Sequence, residues 1–306
     1  MEQQLISEGF HRIKKEDILR LKSYYHYMKD SYASSINLLS IFAWDKNLPA
    51  YYKEVDSFLW FVVYDKINER WVCLPPIGDY EKKELEMVFS KMESVFEKWN
   101  RPLIFTDITP WMVSYYKSYF GNRMEVRQEE ELLEYIYPMD AFKNRLEEQR
   151  ERYNYQYFLK KNNIRTVPLY VDLEGDCIKI LEESFCNFHS CSECEYGCQK
   201  ETLHNALLAC DNQEVLGFIL YADHIPVAYN IVSKEGKHLV FHFKKNKRGF
   251  RGINEFIHKQ TVENFGEDCI GINYTEDMGV EGLRKYKRNL CTFSYQPKQE
   301  IRIVKR

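Results

Sequence analysis

Residues 273–287 read Asn-Tyr-Thr-Glu-Asp-Met-Gly-Val-Glu-Gly-Leu-Arg-Lys-Tyr-Lys. In that order the residue types suit proton transfer beside an anion. Asn273 and Asp277 fall at the carboxyl end of an expected strand, where open α/β folds place their ligands. Glu276 and Asp277 can take a proton from an attacking amine. Arg284 and Lys287 are three apart, so they share a helix face able to hold a phosphate or a carboxylate. Tyr286, on the same helix, can protonate a leaving group. A structural reading stands beside this one: Asp277 as a helix cap, Gly279 and Gly282 as close-packing positions, and Tyr286 as a packing residue.

Two other clusters carry chemistry. Residues 244–254 hold five cations and two glycines just before an expected helix. Glycine lets a backbone approach a ligand closely, and a helix start favours anions. Lys244, Lys247, Arg248, Gly249, Arg251 and Gly252, with Asn273, Arg284 and Lys287, are therefore the candidate phosphate-binding or cofactor-binding set, against a plain basic turn. Cys186, His189, Cys191, Cys194 and Cys198 lie within thirteen residues. Zinc takes four such ligands, commonly as two separated pairs. A zinc site and a group of reduced thiols both stay open for this crowded loop.

These residues need elements to position them. Of 306 residues, 15% are aromatic, with 23 Tyr and 19 Phe, enough ring surface for a sizeable core. The length suggests two domains. No apolar run approaches the roughly 18 residues that cross a bilayer, and the first residues lack the basic-then-apolar order of a secretory signal. Nine cysteines, an odd number in a long chain, argue against a secreted disulfide scaffold. A cytoplasmic protein is expected. The net charge of −3 argues against a general nucleic-acid binder, although residues from Val240 onward carry six more cations than anions.

Apolar spacing predicts helices up to about residue 48, a strand at 57–63 with a hairpin partner at 70–74, and a helix at 82–99. A strand at 103–105, a helix at 111–120 and a strand at 132–137 follow. The second half repeats this order: strands at 215–221, 225–232 and 238–243, the basic loop, a helix at 253–264, a strand at 269–273, a helix at 280–290 and a strand at 300–304. The charged stretch 140–163 reads as a connecting helix. The expected division is a first domain over 1–140, a connecting helix over 141–164 and a second domain over 165–306. Residues 75–79 take the place of the basic loop in the first half but lack its cations, so that half is expected to be structural.

The 273–287 segment resembles the Asn-x-x-x-Asp-x-Gly-x-x-Gly-Leu-Arg-x-x-Lys signature of the DUF2156 family, also named for the C-terminal domain of phosphatidylglycerol lysyltransferase. Asn273, Asp277, Gly279, Gly282, Leu283, Arg284 and Lys287 match in spacing. Asn37-Leu38 through Trp44, the Pro-x-Gly at Pro76 and Gly78, and Arg152, Asn154 and Phe158 resemble further family elements in order. Six residues, 288–293, separate Lys287 from Ser294-Tyr295-Gln296-Pro297, a longer gap than the family usually has. The resemblance implies an α/β (α+β) chain of two tandem GNAT-like domains, each a mixed central sheet flanked by helices. It also implies transfer of an acyl or aminoacyl group, from acyl-CoA or aminoacyl-tRNA, to an amine or hydroxyl. The acceptor would be a small molecule or a lipid head group, with tRNA and a membrane surface as peripheral partners. Glu276, Asp277 and Tyr286 would be catalytic. The rival reading is a non-catalytic ligand-binding protein that keeps the fold.

Overall fold

The computed structural model describes residues 1–28, 33–128, 130–190, 194, 197–211 and 215–304. The chain divides into two compact units, Met1–Leu133 with Gln296–Arg306, and Glu134–Tyr295.

The first unit opens with short elements: helix α1 (Glu2–Ser7), strand β1 (His11–Arg12), and helices α2 (Asp17–Leu21) and α3 (Leu38–Trp44). Asn37 starts α3 because its side-chain oxygen accepts from the N–H groups of Leu39 at 2.7 Å and Ser40 at 3.3 Å. Strands β2 (Ala50–Val55), β3 (Phe58–Asp65) and β4 (Arg70–Cys73) form an antiparallel meander. Helix α4 (Glu84–Lys98) buries Leu85, Val88, Phe89, Met92 and Phe96, spaced three and four apart as one helical face requires. Strand β5 (Leu103–Ile108), helix α5 (Val113–Phe120) and strand β6 (Met124–Gln128) complete the run.

The second unit repeats it. Strand β7 (Glu134–Pro138) leads into helices α6 (Met139–Leu146) and α7 (Gln149–Lys161), strand β8 (Ile164–Pro168), and helices α8 (Glu174–Ser184) and α9 (Gln199–Cys210). Then come strands β9 (Leu216–Ala222), β10 (Ile225–Glu235) and β11 (His238–Asn246), helix α10 (Ile253–Phe265), strand β12 (Gly271–Asn273), helix α11 (Glu281–Arg288) and strand β13 (Ser294–Gln296), while the last strand, β14 (Gln299–Ile303), belongs to the first unit.

The two sheets have the same design. One runs β1-β2-β3-β4-β5-β14-β6 and the other β8-β9-β10-β11-β12-β7-β13. In each, the fourth and fifth strands are parallel neighbours and the sixth place is antiparallel to the fifth. Each sixth place is filled from the other half of the sequence: β7 follows β6 in the chain but lies in the second sheet, and β14 follows β13 but lies in the first. The chain is thus an α/β architecture of two mixed sheets flanked by helices.

The elements depart from the sequence reading in particular places. Residues 300–304 form a strand as expected, but it pairs with β5 and β6. Residues 140–163 form two helices of the second unit. Phe142 of α6 and Phe158 of α7 are buried in its core beside Phe241 and Phe256. Among the described residues no helix is long and apolar enough to cross a membrane.

Ile301 is fully buried in β14. Ile301→Ala should lower the unfolding free energy by about 2–5 kcal/mol, the usual cost of such a cavity. Hydrogen exchange should quicken in β5 and β6 while β10 and β11 keep their protection. Faster exchange confined to the second unit would contradict that pairing.

Candidate active site

The site grows from an irregularity in β11. Opposite β10, Ile231 pairs with Phe243 and Val232 with Phe241, so the register skips His242. An extra residue of this kind reverses the alternation of faces beyond it and re-aims side chains. Phe241 and Lys244 are three apart and would point to opposite faces of a regular strand. Here both meet the same imidazole: the Phe241 ring lies 6.1 Å from that of His258, and Lys244 Nζ lies 3.4 Å from His258 Nε2. On its other edge β11 pairs in parallel with β12 only from His238 to Val240, opposite Gly271 to Asn273. β12 stops there while β11 runs on to Asn246, so the parallel pairing ends four residues before Lys244.

Four side chains converge on Lys244. Its ammonium donates to Asn254 Oδ1 at 2.9 Å and to the Tyr286 hydroxyl at 2.8 Å. It lies 4.9 Å and 5.5 Å from the ring centres of Tyr286 and Tyr274. Asn254 and His258 are four apart on α10 and so share a face. Burial, followed by the charge of Lys244, pushes the pKa of His258 well below its ordinary value, so the ring is neutral. The ammonium beside Nε2 has only hydrogens to offer, which assigns Nε2 as the bare acceptor nitrogen. The Tyr274 hydroxyl, kept protonated by burial, donates to it at 2.9 Å. The Tyr286 oxygen therefore accepts from Lys244, while its own hydrogen points toward His258 Nε2, 3.3 Å away and already engaged by Tyr274, or toward a ligand. His258 and Tyr274 are buried; Lys244, Asn254 and Tyr286 are half-exposed and reachable.

The signature residues do something else. The loop from Tyr274 to Gly279 holds three residues in the left-handed region: Thr275 (φ 56°), Met278 (φ 54°) and Gly279 (φ 72°). For the two that are not glycine such a backbone costs on the order of 1 kcal/mol or more each and must be held from outside. Asn273 Oδ1 accepts from Thr275 N at 2.8 Å, and its amide donates to buried Glu134 at 2.7 Å. Asp277 Oδ1 accepts from Gly279 N at 2.9 Å. Lys287, 2% exposed, donates to the carbonyls of Tyr274 and Glu276 at 2.5 and 2.6 Å. Asp277, also 2% exposed, receives Arg284 through two N–H groups at 2.9 and 3.0 Å and the Tyr135 hydroxyl at 2.7 Å. Burial raises its pKa, but Arg284, Tyr135 and Gly279 outweigh burial and hold it below the ordinary value.

Of the expected catalytic residues, Asp277 is thus bonded on both oxygens. Glu276 is half-buried beside it, its charge felt by Lys287 and His242. Tyr286 alone joins the cluster. Of the expected anion ligands, Asn273, Arg284 and Lys287 grip the loop, and Lys244 belongs to the cluster. Lys247 pairs with Glu183 at 2.7 Å, Arg248 lies 3.9 Å over the Phe188 ring, and Arg251 bonds Asn154 at 3.0 Å between Tyr153 and Tyr157. Gly252 (φ 89°) is required by α7: a Cβ there would lie 2.0 Å from the Asn154 carbonyl oxygen. Gly249 (φ 91°) faces open space. The sequence reading missed His258 and Tyr274. The signal for His258 was a histidine amid the apolar face Phe256, Ile257 and Val262.

Among the described residues no group of three His, Cys, Asp or Glu is placed to hold a metal ion. His189 stacks on Phe185 and bonds its carbonyl through Nδ1 at 3.0 Å. Cys186, Cys194 and Cys198 carry thiols rather than disulfides, and burial raises the pKa of Cys186. Cys191 lies outside the described residues.

The family model for the C-terminal region of phosphatidylglycerol lysyltransferase matches residues 31–303. The chain belongs to that family. A conserved protein of unknown function from Bacteroides thetaiotaomicron shares the fold with a TM-score of 0.84 at 19% identity, over 97% of this chain and 99% of its own. The C-terminal DUF2156 domain of a putative lysylphosphatidylglycerol synthetase from Agrobacterium fabrum gives 0.64 at 12% identity, over 95% and 92%. The L-PGS of Bacillus licheniformis gives 0.63 at 12%, over 94% and 92%. At these identities the likeness is one of fold. No curated protein matches the sequence.

In this lysyltransferase-family chain the signature therefore holds a loop, and two measurements check that role. Arg284→Ala should cost about 1.5–3 kcal/mol of stability, the range for hydrogen bonds to a charged group. Unchanged stability in denaturant would show that Arg284 is no strut. Burial lowers the pKa of Lys287 to about 8 from 10.5, with Glu276, Asp277 and Glu134 opposing. Between those values the unfolded chain keeps a proton that the folded protein has released, so the contribution of Lys287 to stability rises with pH across that window. Relative to Lys287→Met, the wild type should gain on the order of 1–3 kcal/mol from pH 7.5 to 10, at about 1.4 kcal/mol per tenfold change in proton affinity. A pH-independent difference would contradict the lowered pKa.

Proposed function

We propose that this chain is a cytoplasmic transferase that moves an acyl or aminoacyl group to an amine or hydroxyl acceptor, with its chemistry in the second unit at Lys244, Asn254, His258, Tyr274 and Tyr286. The observation that carries the reading is this cluster. A half-exposed phenol has its oxygen bonded to an ammonium carried on β11 beyond the end of its parallel pairing with β12, in a chain of the lysyltransferase family. The first unit is read as structural. At its counterpart position β4 and β5 pair at Cys73 and Phe105, and that neighbourhood is closed by the buried rings of Phe89, Phe105 and Tyr116.

In the proposed reaction a nucleophilic nitrogen or oxygen of the acceptor attacks the donor's carbonyl carbon. A carbon–nitrogen or carbon–oxygen bond forms, and the bond from the carbonyl to the leaving oxygen of an aminoacyl-tRNA, or the leaving sulfur of an acyl-CoA, breaks. Tyr286 gives its hydroxyl proton to the leaving atom, and the proton lost by the acceptor restores it. Lys244 stabilises the phenol oxygen while the proton is away, and neutral His258 and Asn254 hold the ammonium in place. The donor's phosphates lie along the basic loop at Lys247, Arg248 and Gly249, before the start of α10. The family name favours an aminoacyl donor and an anionic lipid head group as acceptor. The surplus of cations from Val240 onward suits either donor and a negatively charged membrane surface.

The test is transfer of a labelled lysyl group from lysyl-tRNA, or of an acetyl group from acetyl-CoA, to phosphatidylglycerol vesicles or to simple amines. Tyr286→Phe should lower the rate by about a hundredfold or more, in line with the loss of a general acid, with its melting temperature unchanged. A full rate in Tyr286→Phe would move the chemistry elsewhere. Stabilisation by either donor without turnover would make the chain a binding protein.

A further inference from the structure

The basic loop is covered by its own chain. Residues 183–188, at the end of α8 and just beyond it, meet three successive cations. Glu183 pairs with Lys247 at 2.7 Å, the Phe185 ring lies 4.3 Å from Lys245 Nζ, and the Phe188 ring lies 3.9 Å from the Arg248 guanidinium. The Lys247 side chain is only 10% exposed, while that of Glu183 is 53% exposed. A sunken cation is thus closed by a carboxylate that still reaches solvent.

The placement of Glu183 is also poor for the helix that carries it. Residues 182 and 183 are both glutamates, in the last turn of α8, which holds no basic residue. The carbonyl end of a helix repels negative charge. Glu182 finds Lys200 of α9 and Glu183 finds Lys247. A local choice that works against its own helix points to a role beyond that helix.

We propose that residues 183–188 are a strap over the basic loop, in which the Glu183 carboxylate occupies the position that a ligand's phosphate takes when it displaces it. Exchange is favourable on charge grounds. A carboxylate that still reaches solvent gains little from its ammonium partner. A phosphate brings more charge and more acceptor oxygens to the same Lys247 and to Arg248. Gly249 faces open space next to both, so the backbone leaves room for the incoming group. The strap thus sets the threshold for donor entry and gives way to a phosphorylated ligand rather than to a neutral one. The proposal rests on the reading of this loop as the donor's phosphate site.

Inorganic pyrophosphate and CoA are the probes, titrated calorimetrically into the full chain, Glu183→Gln, Lys247→Met, and Glu183→Gln with Lys247→Met. Glu183→Gln should bind both probes about two- to fivefold more tightly, with a melting temperature near that of the wild type. The gain should shrink as salt is raised, and Lys247→Met should abolish it. Adding pyrophosphate to the wild type should speed hydrogen exchange across residues 183–190. Equal affinity in the wild type and Glu183→Gln, with Lys247→Met weakening both, overturns the strap and leaves the loop as the phosphate site. Binding that ignores Lys247→Met, or no binding by any variant, overturns the strap and the loop reading together.

Discussion

Burying a carboxylate without partners is so costly that the group would take up a proton instead. Asp277, all but sealed from solvent, escapes this because Arg284, the Tyr135 hydroxyl and the Gly279 N–H fill its acceptor positions. These partners come from β7, from α11 and from the loop between β12 and α11. Satisfying one charge therefore fixes where β12 ends, how the loop turns through its left-handed residues, and how α11 leaves it. Lys287 adds the complementary lock. It is a buried ammonium whose hydrogens go to the carbonyls that the irregular backbone cannot satisfy within a helix or a sheet. Without these two charges the loop would have no reason to keep its shape, and Tyr286 would have no fixed position.

That arrangement divides α11 by face. Arg284 and Lys287, three apart, turn inward to the loop. Tyr286, about a hundred degrees away from Lys287 around the helix, turns to Lys244 and His258. One eight-residue helix thus carries both the strut and the phenol proposed to react, and the stiffness of the first serves the placement of the second. The bulge at His242 does the same for β11. A single extra residue brings Lys244 onto the face of Phe241, where α10 supplies Asn254 and His258. Positioning within a few tenths of an ångström is what a proton donor needs. Here it comes from secondary structure and buried charge, with the half-exposed groups left free to meet a ligand.

The sequence carried the strands and helices of both halves well wherever apolar spacing was strong, as in α4, β3 and β10. It did not carry β2, because Tyr51, Tyr52, Lys53 and Glu54 show no alternation; those residues become a strand through pairing with β3. Nor did it carry the sheet to which β7 and β14 belong. Alternation says that one face of a strand is buried but does not name its neighbours. The signature was legible as residues that matter, yet their partners were not, since whether an aspartate or an arginine faces a ligand or its own chain depends on distances between β7, β12 and α11. His258 was hidden because a histidine in an apolar helix reads as core. Lys244 was grouped with the loop cations because a one-residue bulge leaves no mark in a sequence.

The five cations of the basic stretch show why composition alone says little about binding. All five are engaged by the chain itself, but with different strengths. Lys244 is held by a hydrogen-bonded network including Asn254 and Tyr286, and Arg251 by a carbonyl oxygen of the Asn154 side chain and two rings; neither can leave without a loss inside the fold. Lys245, whose ammonium burial makes harder to keep charged, sits against Phe185. Lys247 and Arg248 face a solvent-reaching carboxylate and an exposed ring, partners that cost little to exchange. Any anion binding proposed for this surface therefore falls to the two cations that are most weakly satisfied, and the number of cations in the sequence overstates it.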